Sequence, residues 1–125
     1  MSGNTELTLS PADYDKAFTE ISFLLDMFIE TIVAFVGKSL SDENRLRILL
    51  SLCNGKKTVS TIVEEMNLSQ PLVSHHLKEL RRSLLVTVER KGLFVYYEIV
   101  DERIIDIVGQ LAHLATDLLS KRDTF

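Results

Sequence analysis

One cysteine among 125 residues excludes an internal disulfide and fits a reducing, cytoplasmic setting. Cys53 falls in step with Leu46, Leu49 and Leu50 in RLRILLSLC, so it reads as a small buried hydrophobe rather than a redox thiol. Five glycines and two prolines form no glycine-rich phosphate loop, low-complexity tract or long linker. No Ser-His-Asp or Cys-His grouping is suggested, which leaves catalysis without support and points to a protein that is not an enzyme. Positive charge is also short: the formal net charge of -4 argues against coating nucleic acid indiscriminately, which needs many cations against phosphates. Long apolar runs are missing too. Residues 21–36 are interrupted by Asp26 and Glu30 and fall short of the roughly 20 residues of a membrane span. The opening MSGNTELTLS lacks the basic and apolar regions of a signal peptide.

What is present is a chain that is 46% hydrophobic, enough for one core and read as a single domain over 1–125. Its charge is graded. Residues 1–30 hold six acids against Lys16 alone, while residues 68–92 hold Lys78, Arg81, Arg82, Arg90 and Lys91 against Glu79 and Glu89.

Ser10 caps a first helix over 11–37, with Pro11 in its first turn and Asp13 favourably placed against the helix dipole. Phe18, Ile21, Leu25, Phe28, Ile32 and Phe35 then recur at alternating steps of three and four, a heptad-like seam. So much apolar surface on one helix predicts that part of it meets a second chain. A second helix starts near Ser41-Asp42-Glu43 and stops at Asn54-Gly55. Thr58 or Ser60 caps a short helix carrying Val59, Ile62, Val63 and Met66. After Asn67-Leu68, Ser69 caps another with Pro71 in its first turn, burying Val73, Leu77, Leu80 and Leu84. Two short helices across so brief a turn outline a helix-turn-helix. Residues 85–90 and 93–99 alternate as strands around a Lys91-Gly92 turn. Asp101 caps a last helix, over 101–121, in which Ile104, Val108, Leu111, Ala115 and Leu118 form another seam.

Two adjacent histidines sit in LSQPLVSHHLKELRRSL. Stepping at about 100° per residue sends His76 to the flank of the buried face and His75 nearly opposite, so the pair is poorly placed to chelate one ion. His76 reads as a packed residue donating one hydrogen bond. His75 reads outward, beside Ser74, Lys78 and Arg82. His113 and Asp117, four residues apart, read as an exposed helix pair rather than metal ligands.

These segments resemble the winged helix-turn-helix repressors of the ArsR/SmtB family: LSDENRLRILLSL its second helix, LSQPLVSHHLKELR its turn and recognition helix, and VERKGLFVYYEI its wing. The resemblance covers roughly residues 38–100. It implies a mainly α fold with a β-hairpin wing (core 41–100, wing 85–99), dimerising through its N- and C-terminal helices. It also implies a double-stranded DNA operator as partner, often released when an effector binds. Within that frame Gln70, Ser74 and His75 are the base-reading candidates. Ser69, Lys78, Arg81, Arg82, Arg90 and Lys91 suit phosphate, with Arg90 at the wing tip also able to enter a minor groove. Phe18, Ile21, Leu25, Phe28, Ile32, Ile104, Val108, Leu111, Ala115 and Leu118 are the expected homodimer contacts.

The chain departs from the family in three places. The Cys-Val-Cys step of metal-sensing members reads Thr58-Val59-Ser60 here. The Asp-x-His step before the last helix reads Asp101-Glu102-Arg103, with Leu114 and Asp117 where two further histidines stand. Arginine is permanently protonated and offers no lone pair, so neither a metal nor another cofactor is expected. Leu84 stands where relatives place glycine. A leucine in a left-handed turn costs about 1 to 2 kcal/mol, which predicts that the helix runs on or the turn is rebuilt. Two other readings stay open: a receptor for a small apolar effector built on the aromatic first helix, and a winged-helix module that binds another protein.

Overall fold

The computed structural model describes residues 10–122, which divide into two bodies, one up to Ala34 and one from Phe35 onward. The first is most of helix α1, Pro11–Ser39. Ser10 and Asp13 close it reciprocally: the Asp13 amide donates to Ser10 Oγ at 3.2 Å and the Ser10 amide to Asp13 Oδ2 at 3.1 Å. Phe18, Ile21, Leu25, Phe28 and Ile32 are all exposed along it, Phe18 the most at 73%.

The second body begins with the last turn of α1 and continues through α2 (Glu43–Ser51), a 3-10 turn (Leu52–Asn54), β1 (Lys57–Thr58), α3 (Val59–Met66), α4 (Gln70–Arg82), β2 (Val86–Lys91), β3 (Phe94–Ile99) and α5 (Arg103–Ser120). The strands form one antiparallel sheet in the order β1-β3-β2, with Val86 opposite Ile99 and Lys91 opposite Phe94. Its core is Ile48, Leu49, Leu52, Ile62, Val73, Leu77, Leu80, Leu85 and Val86. The α4 face accordingly buries at i, i+4 and i+7, the spacing of one helical stripe.

Several expectations need correction. Cys53 is exposed, because α2 gives way at Leu52 to a 3-10 turn whose tighter pitch carries the next residue off the buried face. Leu50 points outward for its part, and Ile48 fills the core beside Leu49. The hairpin turn is Gly92-Leu93, one residue later than expected, because Lys91 still pairs with Phe94. Gly92 at φ +60° supplies the left-handed first turn position. Of the seam read on α5, Val108 is buried in its own chain and Ile104 packs on the same core, whereas Ile107 and Leu114 stand exposed with Leu111 and Leu118. His113 and Asp117 are exposed without an ion pair joining them.

Leu84 is the main departure. The helix neither runs on nor rebuilds: α4 ends at Arg82, and Leu84 itself takes φ +65° with its side chain 76% exposed. The Leu85 amide donates to the Leu80 carbonyl and the Leu84 amide to that of Arg81, both at 3.0 Å. This is the Schellman closure, normally built around glycine. With Leu85 and Val86 buried next to it, the turn is held despite the steric cost, and Leu84 leaves the core face.

Candidate nucleic-acid interface

The turn between α3 and α4 is made by Asn67 in the left-handed region, φ 55° and ψ 42°, which its short polar side chain tolerates. Leu68 then tucks against the core and Ser69 opens α4, its Oγ accepting the Leu72 amide at 3.3 Å. Thr58 does the same for α3, accepting the Thr61 amide at 3.3 Å. These two caps and the Asn67 turn set the direction in which α4 leaves the core.

That direction exposes one face of α4. Ser69, Gln70, Ser74, His75, Lys78, Arg81 and Arg82 are all exposed, while Val73, His76, Leu77 and Leu80 are buried behind them. The first turn carries no acid, so no carboxylate of its own opposes the positive end of the helix dipole. Thirteen residues give a helix about 20 Å long, slim enough for a major groove about 12 Å wide. Arg90 and Lys91 lie exposed at the far end of β2, next to the hairpin turn.

Not every cation is equally free. Arg82 reaches Glu79 Oε1 at 3.4 Å, and Glu89 sits between Lys56 at 3.3 Å and Lys91 at 3.6 Å. The neighbouring ammonium groups hold the Glu89 carboxyl below its usual range, Lys56 contributing most. Lys56 lies 5.5 Å from the Tyr96 ring centre and adds a cation beside the wing. Leu93 at the turn is 97% exposed and Phe94 is exposed next to it, so the wing tip mixes apolar surface with its two cations.

His76 is buried as expected, yet neither ring nitrogen has a hydrogen-bond partner; the nearest carboxylate, Asp42 Oδ1, stands 3.8 Å from Nε2. The expected hydrogen bond is absent because Asp42 is already turned to the Arg45 amide, at 3.0 Å, as cap of α2. Burial pushes the imidazole pKa down from its ordinary 6.5, outweighing the attraction of Asp42.

Two of the family-type metal positions, Thr58 and Asp101, are otherwise engaged. Thr58 Oγ1 serves the α3 cap. Both Asp101 oxygens are held by Arg103, Oδ2 at 2.7 Å from Nη2 and Oδ1 at 2.9 Å from the backbone amide, which brings the carboxyl down to about 2. The N-cap of α5 is Glu102, one residue later than expected and without a side-chain cap bond, and Asp101 accepts the Arg103 amide from just before it. Among the described residues no three His, Cys, Asp or Glu side chains gather around a common point, and no helix is long and apolar enough to cross a membrane.

Residues 42–88, which run from the α2 cap into the first half of β2, match the family described as bacterial regulatory protein, arsR family. The chain is 41% identical over 64 residues to the transcriptional repressor SdpR of Bacillus subtilis, covering 51% of this chain and 71% of that protein. It is 36% identical over 74 residues to the arsenical resistance operon repressor of the same species, covering 58% and 70%. Among solved structures, the homodimeric winged helix-turn-helix DNA-binding domain of Mb0332 from Mycobacterium bovis superposes with a TM-score of 0.69 at 28% identity. That match covers 76% of this chain and 88% of the domain.

Proposed function

This chain belongs to the arsR family of bacterial regulatory proteins, a DNA-binding winged helix-turn-helix regulator, and from that membership we propose that it is a homodimeric, sequence-specific repressor acting without a family-type metal site. The observation that carries the proposal is the outward face of α4. Polar side chains able to read bases, Gln70, Ser74 and His75, occupy its N-terminal half, and Lys78, Arg81 and Arg82 follow toward its C-terminal end. In helix-turn-helix proteins the N-terminal residues of the second helix reach base edges, where Gln bonds adenine with two contacts and Ser accepts either partner. Cations further along and on the wing meet phosphates and set register.

Dimerisation is supported by the exposed apolar residues of α1 and by Ile107, Leu111, Leu114 and Leu118 of α5, more than a monomer leaves in water. A two-fold dimer reads a pseudo-palindrome with half-sites about 34 to 36 Å apart. The homodimeric domain of Mb0332 is consistent with that arrangement. The absence of metal sensing is supported by Thr58 and Ser60 in place of thiols and by Arg103 occupying Asp101.

The test is to select bound genomic DNA with purified protein and compare Gln70→Ala and His75→Ala on the selected duplex. Each variant is expected to lose about 1 to 3 kcal/mol of discrimination at its base while retaining binding to random duplex. Unchanged sequence preference in both variants overturns the assignment.

A further inference from the structure

Beside the outward face of α4 lies a cleft of about 370 Å³, lined by Phe35, Lys38 and Ser39 from the end of α1, Arg45 from α2, and His75, Glu79, Arg82 and Ser83 from α4. Three cations share it with one carboxylate, in a protein whose net charge is -4. Glu79 is itself drawn to Arg82 at 3.4 Å.

The donors are built in rather than scattered. Arg45 is anchored by Nε on the Ser39 carbonyl at 2.7 Å and by Nη2 on that of Lys38 at 3.1 Å, which leaves three of its five N–H donors for another acceptor. Ser39 and Ser83, each more than nine-tenths buried, are joined through their hydroxyls at 2.8 Å. Ser83 Oγ also lies 3.1 Å from the Glu79 carbonyl and 3.2 Å from that of Leu80. Lys38 is exposed and has no carboxylate partner among them either. Phe35 adds an apolar wall, and His75 a ring with both nitrogens uncommitted. An anchored guanidinium beside a second guanidinium and an ammonium, with a buried hydroxyl pair at hand, is the complement of a tetrahedral oxyanion.

We propose that this cleft is a phosphate site, holding the phosphate group either of a free small molecule or of the DNA backbone. His75 and Arg82 belong both to the cleft and to the proposed operator face. A free phosphate ligand would therefore compete with the operator and act as an effector, whereas a backbone phosphate would extend the DNA footprint onto Lys38 and Arg45. The link to DNA rests on the regulator reading above; the binding of the anion does not.

The experiment follows the His75 ring and the Ser39 and Ser83 amides of the full chain by NMR during titration with inorganic phosphate at constant ionic strength, with chloride as control. Wild type is compared with Lys38→Gln and Arg82→Gln, both changes at exposed positions. A second arm measures the salt dependence of affinity for the selected DNA with wild type and Lys38→Gln. Saturable phosphate shifts that both variants weaken several-fold, with phosphate displacing DNA beyond its ionic-strength effect, support a free ligand. No saturable shift, but a log–log salt slope shallower by about 0.9 in Lys38→Gln, the value for one phosphate contact, supports the backbone source. Neither shift nor slope change overturns the proposal. If wild type prefers no DNA, the regulator reading fails, and the phosphate titration alone decides the cleft.

Discussion

Leu84 keeps a left-handed backbone without the freedom of glycine, and its exposed side chain gains little from staying there. Leu84→Gly therefore relieves a steric cost of about 1 to 2 kcal/mol, partly offset by glycine's greater unfolded-state entropy. Thermal unfolding is expected to rise by about 2 to 5 °C. A lower melting temperature would show instead that the leucine is buried in the assembled protein.

His76 makes a second prediction at this scale. Its folded pKa lies below the ordinary 6.5 because burial disfavours the imidazolium. The unfolded chain then binds more protons than the folded one as pH falls through 6.5, so stability drops with falling pH across that window and levels off below the folded pKa. Denaturant midpoints at pH 7.5 and 5.5 are expected to differ in wild type, with the lower value at pH 5.5. The difference should shrink in His76→Leu, which fills the same buried position without titrating.

Among the elements, α4 owes its start to Ser69 and its end to the Schellman turn at Leu84. Ser69→Ala removes one cap and is expected to cost about 1 kcal/mol of stability, readable as a lower denaturant midpoint. Because Ser69 also stands among the phosphate candidates, its effect on DNA should exceed what the stability loss explains; equal losses would reduce it to a cap. The order of helices and the wing were legible in the sequence because each element announces itself locally, through Ser10, Thr58, Ser69, the 3-4 spacing of Val73, Leu77 and Leu80, and Gly92. Three features were not. The strand β1 is two residues long, too short to show a period, and exists only because Lys57 and Thr58 find Tyr97 and Tyr96. Cys53 was misread because periodicity cannot show where an α-helix tightens into a 3-10 turn. The Ser39–Ser83 hydrogen bond and the Arg45 clamp span 44 and 6 residues and involve side chains common on any surface, so nothing local marks them.

At the scale of the whole molecule, an acidic chain gathers exposed cations on α4 and the wing, and the proposed function ties the two together. Net negative charge weakens attraction to arbitrary duplex, so under that proposal affinity rests on the local cations of α4 and the wing and on base contacts. The exposed residues expected to contact DNA all came from one readable motif, whereas the apolar α5 face required the fold to separate inward Val108 from outward Ile107 and Leu114. The central claim is preference, and the most direct measurement is affinity of the purified wild-type protein for its selected genomic duplex and for random duplex of equal length, across a salt series. The account predicts a selected-site affinity at least 10³-fold tighter at physiological salt, the lower end for specific binders. It also predicts a gap that persists as salt rises, because base contacts survive screening that removes phosphate attraction. Equal affinities for the two duplexes at every salt concentration would contradict it.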